Sequence, residues 1–139
     1  MRGFVLDASV ALRWFLDHPM PVYANRVKQV FLMGARAVVP ARWHLEMSNG
    51  LVVAERRSIL TSADVDQAMV DIEQIVAQAV DTDSIVVSAR QALVTARAFQ
   101  LSAYDAVYLD LARRERLPLA TLDDRLRNAA AHAGVELLR

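Results

Sequence analysis

At 139 residues, 55% of them hydrophobic, the chain has material for one domain, residues 1–139, with a sizeable core. Its 16 Lys and Arg balance 16 Asp and Glu, so no global positive field marks a nucleic-acid binder, although every cation but Lys28 is an arginine, the better bidentate phosphate ligand. Cysteine is absent, which excludes disulfides and thiolate metal sites and fits a reducing cytoplasm, and no apolar run has transmembrane length or signal-peptide character.

Strand-like and helix-like segments alternate along the chain, which predicts a largely parallel sheet covered by helices on both faces. Gly3 to Asp7 reads as a short strand without polar alternation, hence buried on both sides. Ser9 can cap a helix from Val10 to Leu16, which Pro19 and Pro21 end; Pro21 also suits the first turn of the next helix, with Gly34 as its stop. Ala37 to Val39 is a second strand closed by Pro40, followed by a helix from about Trp43 to Arg57. The next helix carries the clearest apolar stripe, Val65, Ala68, Met69, Ile72, Ile75, Val76 and Ala79, and is capped by Thr61 or Ser62.

A short third strand is expected near Val80 and Asp81, and Ser84 opens a helix to about Phe99 with Ala89, Ala92, Leu93 and Ala96 facing inward. Ser102 caps the helix Ala103 to Glu115. Leu119 to Thr121 is a strand, with Pro118 at its start, where a missing N–H is tolerated. A helix from about Asp124 to His132 stops at Gly134, and Val135 to Leu138 closes the sheet.

Within this frame four acids stand where carboxylates are awkward. Asp7 ends the apolar run Phe4-Val5-Leu6, and Asp123 follows Leu119-Ala120-Thr121-Leu122. Both fall at the carboxyl ends of strands, where open parallel sheets bind ligands. Asp7 could cap the following helix, but Ser9 is available for that role. Either Asp123 or Asp124 could cap the last helix, and Asp123 lies closer to the strand end. Asp105 forms an S-x-x-D pair with Ser102, as a capping acid would, yet it shares its helix face with Tyr108, Leu109 and Ala112. Asp110 lies off that stripe, with Arg113 and Arg114 three and four positions on, and reads as a surface ion-pair residue. Glu46 shares a face with Asn49, Gly50 and Val53; the small residues permit close helix approach, and Asn49 could orient the carboxylate.

Clustered acids removed from water repel one another unless something positive joins them. A hard divalent cation with oxygen ligands is the usual resolution, and such sites most often serve phosphoryl chemistry. Other chemistries find little support. His18, His44 and His132 share no metal-ligand spacing, Ser9 has no histidine base, and no glycine-rich phosphate loop occurs. Trp14 and Trp43 read as core or interface anchors.

Four stretches in order, Val5-Leu6-Asp7-Ala8-Ser9, Glu46-Met47-Ser48-Asn49-Gly50-Leu51, Leu101-Ser102-Ala103-Tyr104-Asp105-Ala106-Val107-Tyr108-Leu109 and Ala120-Thr121-Leu122-Asp123, resemble those of PIN-domain ribonucleases. Within that family the chain looks like the VapC-type toxins of bacterial type II toxin–antitoxin modules. The resemblance implies a three-layer α/β/α sandwich with a central, mainly parallel sheet. It also implies an acidic quartet, Asp7, Glu46, Asp105 and Asp123, binding Mg²⁺ or Mn²⁺ and hydrolysing RNA, with Ser9, Asn49 and Thr121 in support. Asp124 departs from the pattern, standing where such chains often carry a basic residue. Arg13 and Arg42, near the strand ends, are candidates to hold the RNA strand. A homodimer, a cognate antitoxin across the active site and a cytoplasmic location complete the expectation. Two other classes compete: a receiver-like phosphorylation domain, which would need adjacent acids after the first strand where Ala8 follows Asp7, and a non-catalytic interaction module with a decayed acid set.

Overall fold

Four short parallel strands form the centre of the structure, a computed structural model that describes residues 3–139. β1 (Gly3–Leu6) lies between β2 (Arg36–Val39) and the two-residue β4 (Leu119–Ala120), and β3 (Val80–Thr82) pairs with the far side of β2. The order is therefore β3-β2-β1-β4, with α helices flanking the sheet. From β1 the chain first builds outward through β2 to β3, then returns to add β4 on the opposite side. The strand order reverses at the β1/β4 pair, and the crevice beyond the carboxyl ends there is where such sheets take ligands.

Because β1 is paired on both edges and covered on both faces, Phe4, Val5 and Leu6 have no solvent exposure. Strand pairing continues one residue further, since the Asp7 N–H donates to Ala120 O at 2.9 Å. Two four-residue helices follow, α1 (Ala8–Ala11) and α2 (Arg13–Leu16), joined at Leu12, which keeps helical torsions. The helix thus begins at Ala8 rather than Val10, and Ser9 lies inside it instead of capping it. α3 (Val22–Leu32) begins after Pro21 and ends before Gly34, whose φ of +103° only glycine adopts readily.

α4 (Arg42–Arg56) buries Trp43, Met47, Leu51 and Ala54, and α5 (Ser62–Ala79) is capped by Thr61 in a capping box with Asp64. α6 runs from Ala89 to Phe99, so the helix expected from Ser84 starts five residues later. Two causes act together. The Asp83 N–H extends the β2 edge by donating to Val39 O at 2.8 Å, and Ile85-Val86-Val87 is a β-branched run of low helix propensity. Ser88 then supplies the cap by accepting from Gln91 N. The inward face of α6 is also rotated from expectation: Ala92 and Thr95 are buried, whereas Leu93 is 49% exposed.

α7 (Ala103–Glu115) and α8 (Asp124–Ala133) occur as expected, the latter closing on Gly134. The expected last strand, Val135 to Leu138, is reduced to one parallel bridge from Leu137 to Leu119, with Leu119 N donating to Glu136 O and Leu138 N to Leu119 O. Among the described residues no helix is long and apolar enough to cross a membrane.

Gly50 allows α4 to lie against the α1–α2 junction. A Cβ there would sit 2.5 and 2.8 Å from the two Leu12 methyls. Gly50→Ala should lower stability by roughly 1–2 kcal/mol, overpacking outweighing alanine's helix-propensity gain of about 1 kcal/mol. Urea unfolding checks this through the midpoint at constant slope; a midpoint at or above the wild-type value would show that Leu12 swings aside.

Candidate metal centre at the carboxyl edge of the sheet

Asp7 anchors the site. It is 4% exposed, and its Oδ2 accepts from Thr121 Oγ1 at 2.6 Å and Ser9 Oγ at 2.8 Å. Both hydroxyls are themselves fed by backbone donors, Ser9 Oγ by Leu122 N and Thr121 Oγ1 by Asp123 N, each at 3.0 Å. A hydroxyl that accepts a peptide N–H has its single proton left to donate, so the network fixes both protons toward the carboxylate. Even so, burial dominates and raises the Asp7 pKa to about 6; the two hydroxyls act against this, and nearby Glu46 adds to it. No described cation forms an ion pair with Asp7.

Glu46 projects from α4 beside it. Its Oε1 accepts from Tyr108 Oη at 2.8 Å and from Arg42 Nε at 2.7 Å. Tyr108 is wholly buried on α7; burial raises its pKa most, and the negative charges of Asp7 and Glu46 raise it further. The phenol therefore stays protonated and acts as a donor. Asn49, expected to orient Glu46, is exposed and makes no such bond among the described residues, because it falls outside the α4 stripe of Trp43, Met47, Leu51 and Ala54. Tyr108 and Arg42 orient the carboxylate in its place.

Asp105 lies in the first turn of α7, where Ser102 Oγ accepts its backbone N–H at 3.0 Å. The half-buried carboxyl is shifted upward, first by burial, then by Asp123 and by Glu46, with Ser102 and Arg42 opposing. Asp123 is the N-cap of α8, its Oδ1 accepting from Leu126 N at 3.0 Å, so the cap and the strand-end acid are one residue and Asp124 begins the helix proper. Asp110 is not a surface ion-pair residue: it accepts from the buried Thr95 hydroxyl at 2.7 Å between α6 and α7, while Arg113 lies over Phe99 and Arg114 pairs with Asp83. Among the described residues no histidine bonds to these acids; His44 bonds Thr82 and His132 bonds Asn128 O.

The quartet is linked by repulsion, from Asp7 to Glu46, Glu46 to Asp105 and Asp105 to Asp123. It is not drawn into a ready-made cage: no three His, Cys, Asp or Glu among the described residues are already set to hold an ion. The cause is local. Glu46 turns to Arg42 and Tyr108, and Asp123 turns to the α8 N-terminus, which keeps like charges apart. The donors at hand are carboxylates and hydroxyls, a set that fits a hard divalent cation and offers nothing to a soft one.

The PIN domain family profile matches residues 4–132. This chain belongs to the PIN domain family. PIN domains are generally metal-dependent nucleases. Among solved structures, the "Crystal Structure of PAE2754 from Pyrobaculum aerophilum" superposes with a TM-score of 0.67, covering 92% of this chain and 84% of that one. At 18% identity that likeness shows the fold alone. No curated protein matches the chain.

Two participants in this PIN site were not singled out in these roles from sequence, Tyr108 as a donor and Arg42 as the counterion of Glu46. Tyr108 reads as one more apolar position on the α7 stripe. The i,i+4 spacing of Arg42 and Glu46 was the available sign of their pairing.

The Asp7 shift makes stability depend on pH. Because the folded-state pKa lies above the unfolded value of 3.8, both states are protonated below about pH 4 and burial costs nothing there. As pH rises through about 6 the penalty develops in full, on the order of 3 kcal/mol for this shift. In chelator, Asp7→Asn should therefore unfold at higher urea than wild type at pH 7.5, and the advantage should vanish toward pH 4. An advantage independent of pH would place its origin outside the Asp7 charge.

Proposed function

We propose that this PIN domain is an Mg²⁺- or Mn²⁺-dependent endoribonuclease acting as the toxin of a VapC-type toxin–antitoxin module in the cytoplasm. The observation carrying this reading is Asp7, a carboxylate buried at the strand-order reversal with Glu46 beside it, linked through Glu46 to Asp105 and Asp123, and paired with no cation among the described residues. In this proposal Asp7, Glu46, Asp105 and Asp123 hold the ion. A divalent ion there would polarise a phosphate oxygen and ionise a bound water for attack at phosphorus. Ser9 and Thr121 keep Asp7 in one orientation, Tyr108 does the same for Glu46, and the backbone N–H groups of Leu122 and Asp123 fix the hydroxyl protons.

The toxin assignment draws on the sequence resemblance, and one surface feature supports a protein partner. Ile85, Val86 and Val87 project from the irregular segment 83–88 and, with Tyr104, line a groove of about 480 Å³ bordered by Arg42. Three adjacent exposed aliphatic side chains beside a polar site suit an apolar partner segment such as an antitoxin's. A homodimer is proposed on the resemblance alone.

Incubation of the purified protein with single-stranded RNA should give endonucleolytic cuts with Mn²⁺ and none in chelator. Asp7→Asn and Asp105→Asn should each lower the rate by at least about 100-fold, while Asp110→Asn, which keeps an acceptor for Thr95, should cut normally. Cleavage that survives chelation would remove the mechanism.

Expression in a bacterial host should arrest growth, and co-expression of a small neighbouring antitoxin should relieve the arrest. Normal growth with abundant folded, metal-competent protein would overturn the toxin reading and leave the nuclease chemistry standing.

A further inference from the structure

Arg42 is held in three ways that do not fit one resting role. Its Nε donates to Glu46 at 2.7 Å, its guanidinium lies 4.6 Å from the Tyr104 ring centroid, and its Nη1 is buried with no hydrogen-bond partner among the described residues. An arginine kept only to neutralise Glu46 would use its fork on the carboxylate, since bidentate pairing is the stronger geometry. Here one arm meets Glu46 and the other carries an unspent donor. The platform beneath is Tyr104, 69% exposed, at the rim of the site next to Asp105. Stacking on a solvent-facing ring and a planar guanidinium with an unused donor are the attributes of a phosphate ligand.

We propose that Arg42 exchanges partners during the working cycle: it is the counterion of Glu46 while no divalent ion is bound, and on ion binding its guanidinium, still seated on Tyr104, takes a backbone phosphate of the RNA strand. This rests on the nuclease reading above. The exchange is energetically accessible because the pair is only partly shielded, the two side chains being 29% and 26% exposed, and such pairs hold weakly. A divalent cation competes for the same Glu46 carboxylate, and the displaced guanidinium has a seat that does not depend on Glu46. Occupancy by ion and by RNA then favour each other, because the group that yields to the first becomes a ligand for the second.

The test measures two affinities separately, without turnover. Mn²⁺ binding to the full chain is followed by titration calorimetry in the absence of RNA. Binding of a labelled single-stranded RNA of about 12 nucleotides is followed by anisotropy in Ca²⁺ over a range of salt. Arg42→Gln should bind Mn²⁺ about 2- to 5-fold tighter, since the competing cation is gone. The same variant should bind RNA more weakly, with the slope of log K against log salt reduced by about 0.7, one single-strand phosphate contact. The opposite signs are decisive, for a merely structural role would weaken both. Tyr104→Ala, at an exposed position safe for folding, should weaken RNA binding and leave Mn²⁺ affinity at the wild-type value. Unchanged or weaker Mn²⁺ binding in Arg42→Gln overturns the exchange, as does an unchanged salt slope or unchanged RNA affinity in Tyr104→Ala. A wild-type protein that binds no Mn²⁺ would instead overturn the nuclease reading together with it.

Discussion

The burial of one carboxylate governs the organisation of the site. β1 is paired on both edges, so the residue that follows it cannot turn to water, and that residue is Asp7. An unpaired carboxylate in such a place is tolerated only if hydrogen bonds replace hydration. Two hydroxyls do so, Ser9 from the helix that begins one residue later and Thr121 from the end of β4. Those hydroxyls are in turn aimed by the N–H groups of Leu122 and Asp123, which stitches the β4–α8 turn to the start of α1. The placement of Asp123 at the head of α8 follows from the same stitch. Asp7 therefore sets the position of an acid more than a hundred residues away in sequence, through contacts between side-chain oxygens and peptide nitrogens.

The remaining acids are arranged around that fixed charge by repulsion and partial compensation. Glu46 is near enough to raise the Asp7 pKa and is steadied by Tyr108 and Arg42. Asp105 stays half-buried, uncomfortable next to Asp123 and Glu46 and relieved slightly by Arg42. Arg42 is the one described cation paired within the quartet, and it acts on two of the four acids, bonding Glu46 and lowering the Asp105 pKa. A single monovalent charge on a flexible stem leaves such a group under-neutralised. This imbalance makes the edge attractive to a divalent ion in the proposed reading.

Much of this was legible in the sequence because the signals were local. Ser102 and Gly134 mark helix ends through backbone chemistry acting over three or four residues, and the all-apolar run before Asp7 marks a strand buried on both sides. The failures share the opposite character. The late start of α6 depends on Asp83 extending the β2 edge, and the role of Asp110 depends on Thr95 facing it across two helices. Asn49 shares a nominal face with Glu46, but the angle between them on α4 suffices to leave one in the site and the other in solvent. Tyr108 supplies a polar atom from a residue that counts as apolar in any periodicity argument. Periodicity finds which face is buried, not what a buried hydroxyl will touch.

A site assembled from β1, α4, α7 and the β4–α8 turn exists only once the whole sheet has closed, because none of its acids is near another in sequence. The desolvation of Asp7 and Asp105, with the repulsion among the acids, opposes that closure, so the fold must hold the site in place by other means. The means are visible: zero exposure along Phe4–Leu6, the buried Tyr108 and Leu109 on α7, and the glycine that brings α4 against Leu12. Stability and function then pull on the same residues in opposite directions. Substituting Asp7 or Asp105 by a neutral isostere relaxes the folded chain, because burial and neighbouring acids disfavour both carboxylates, whereas Glu46 is held by Arg42 and Tyr108 and Asp123 by the α8 N-terminus. In the proposed reading an arriving cation offsets the desolvation and repulsion that Asp7 and Asp105 bear, so the affinity of the edge for that ion and the cost of the two acids to the fold are linked.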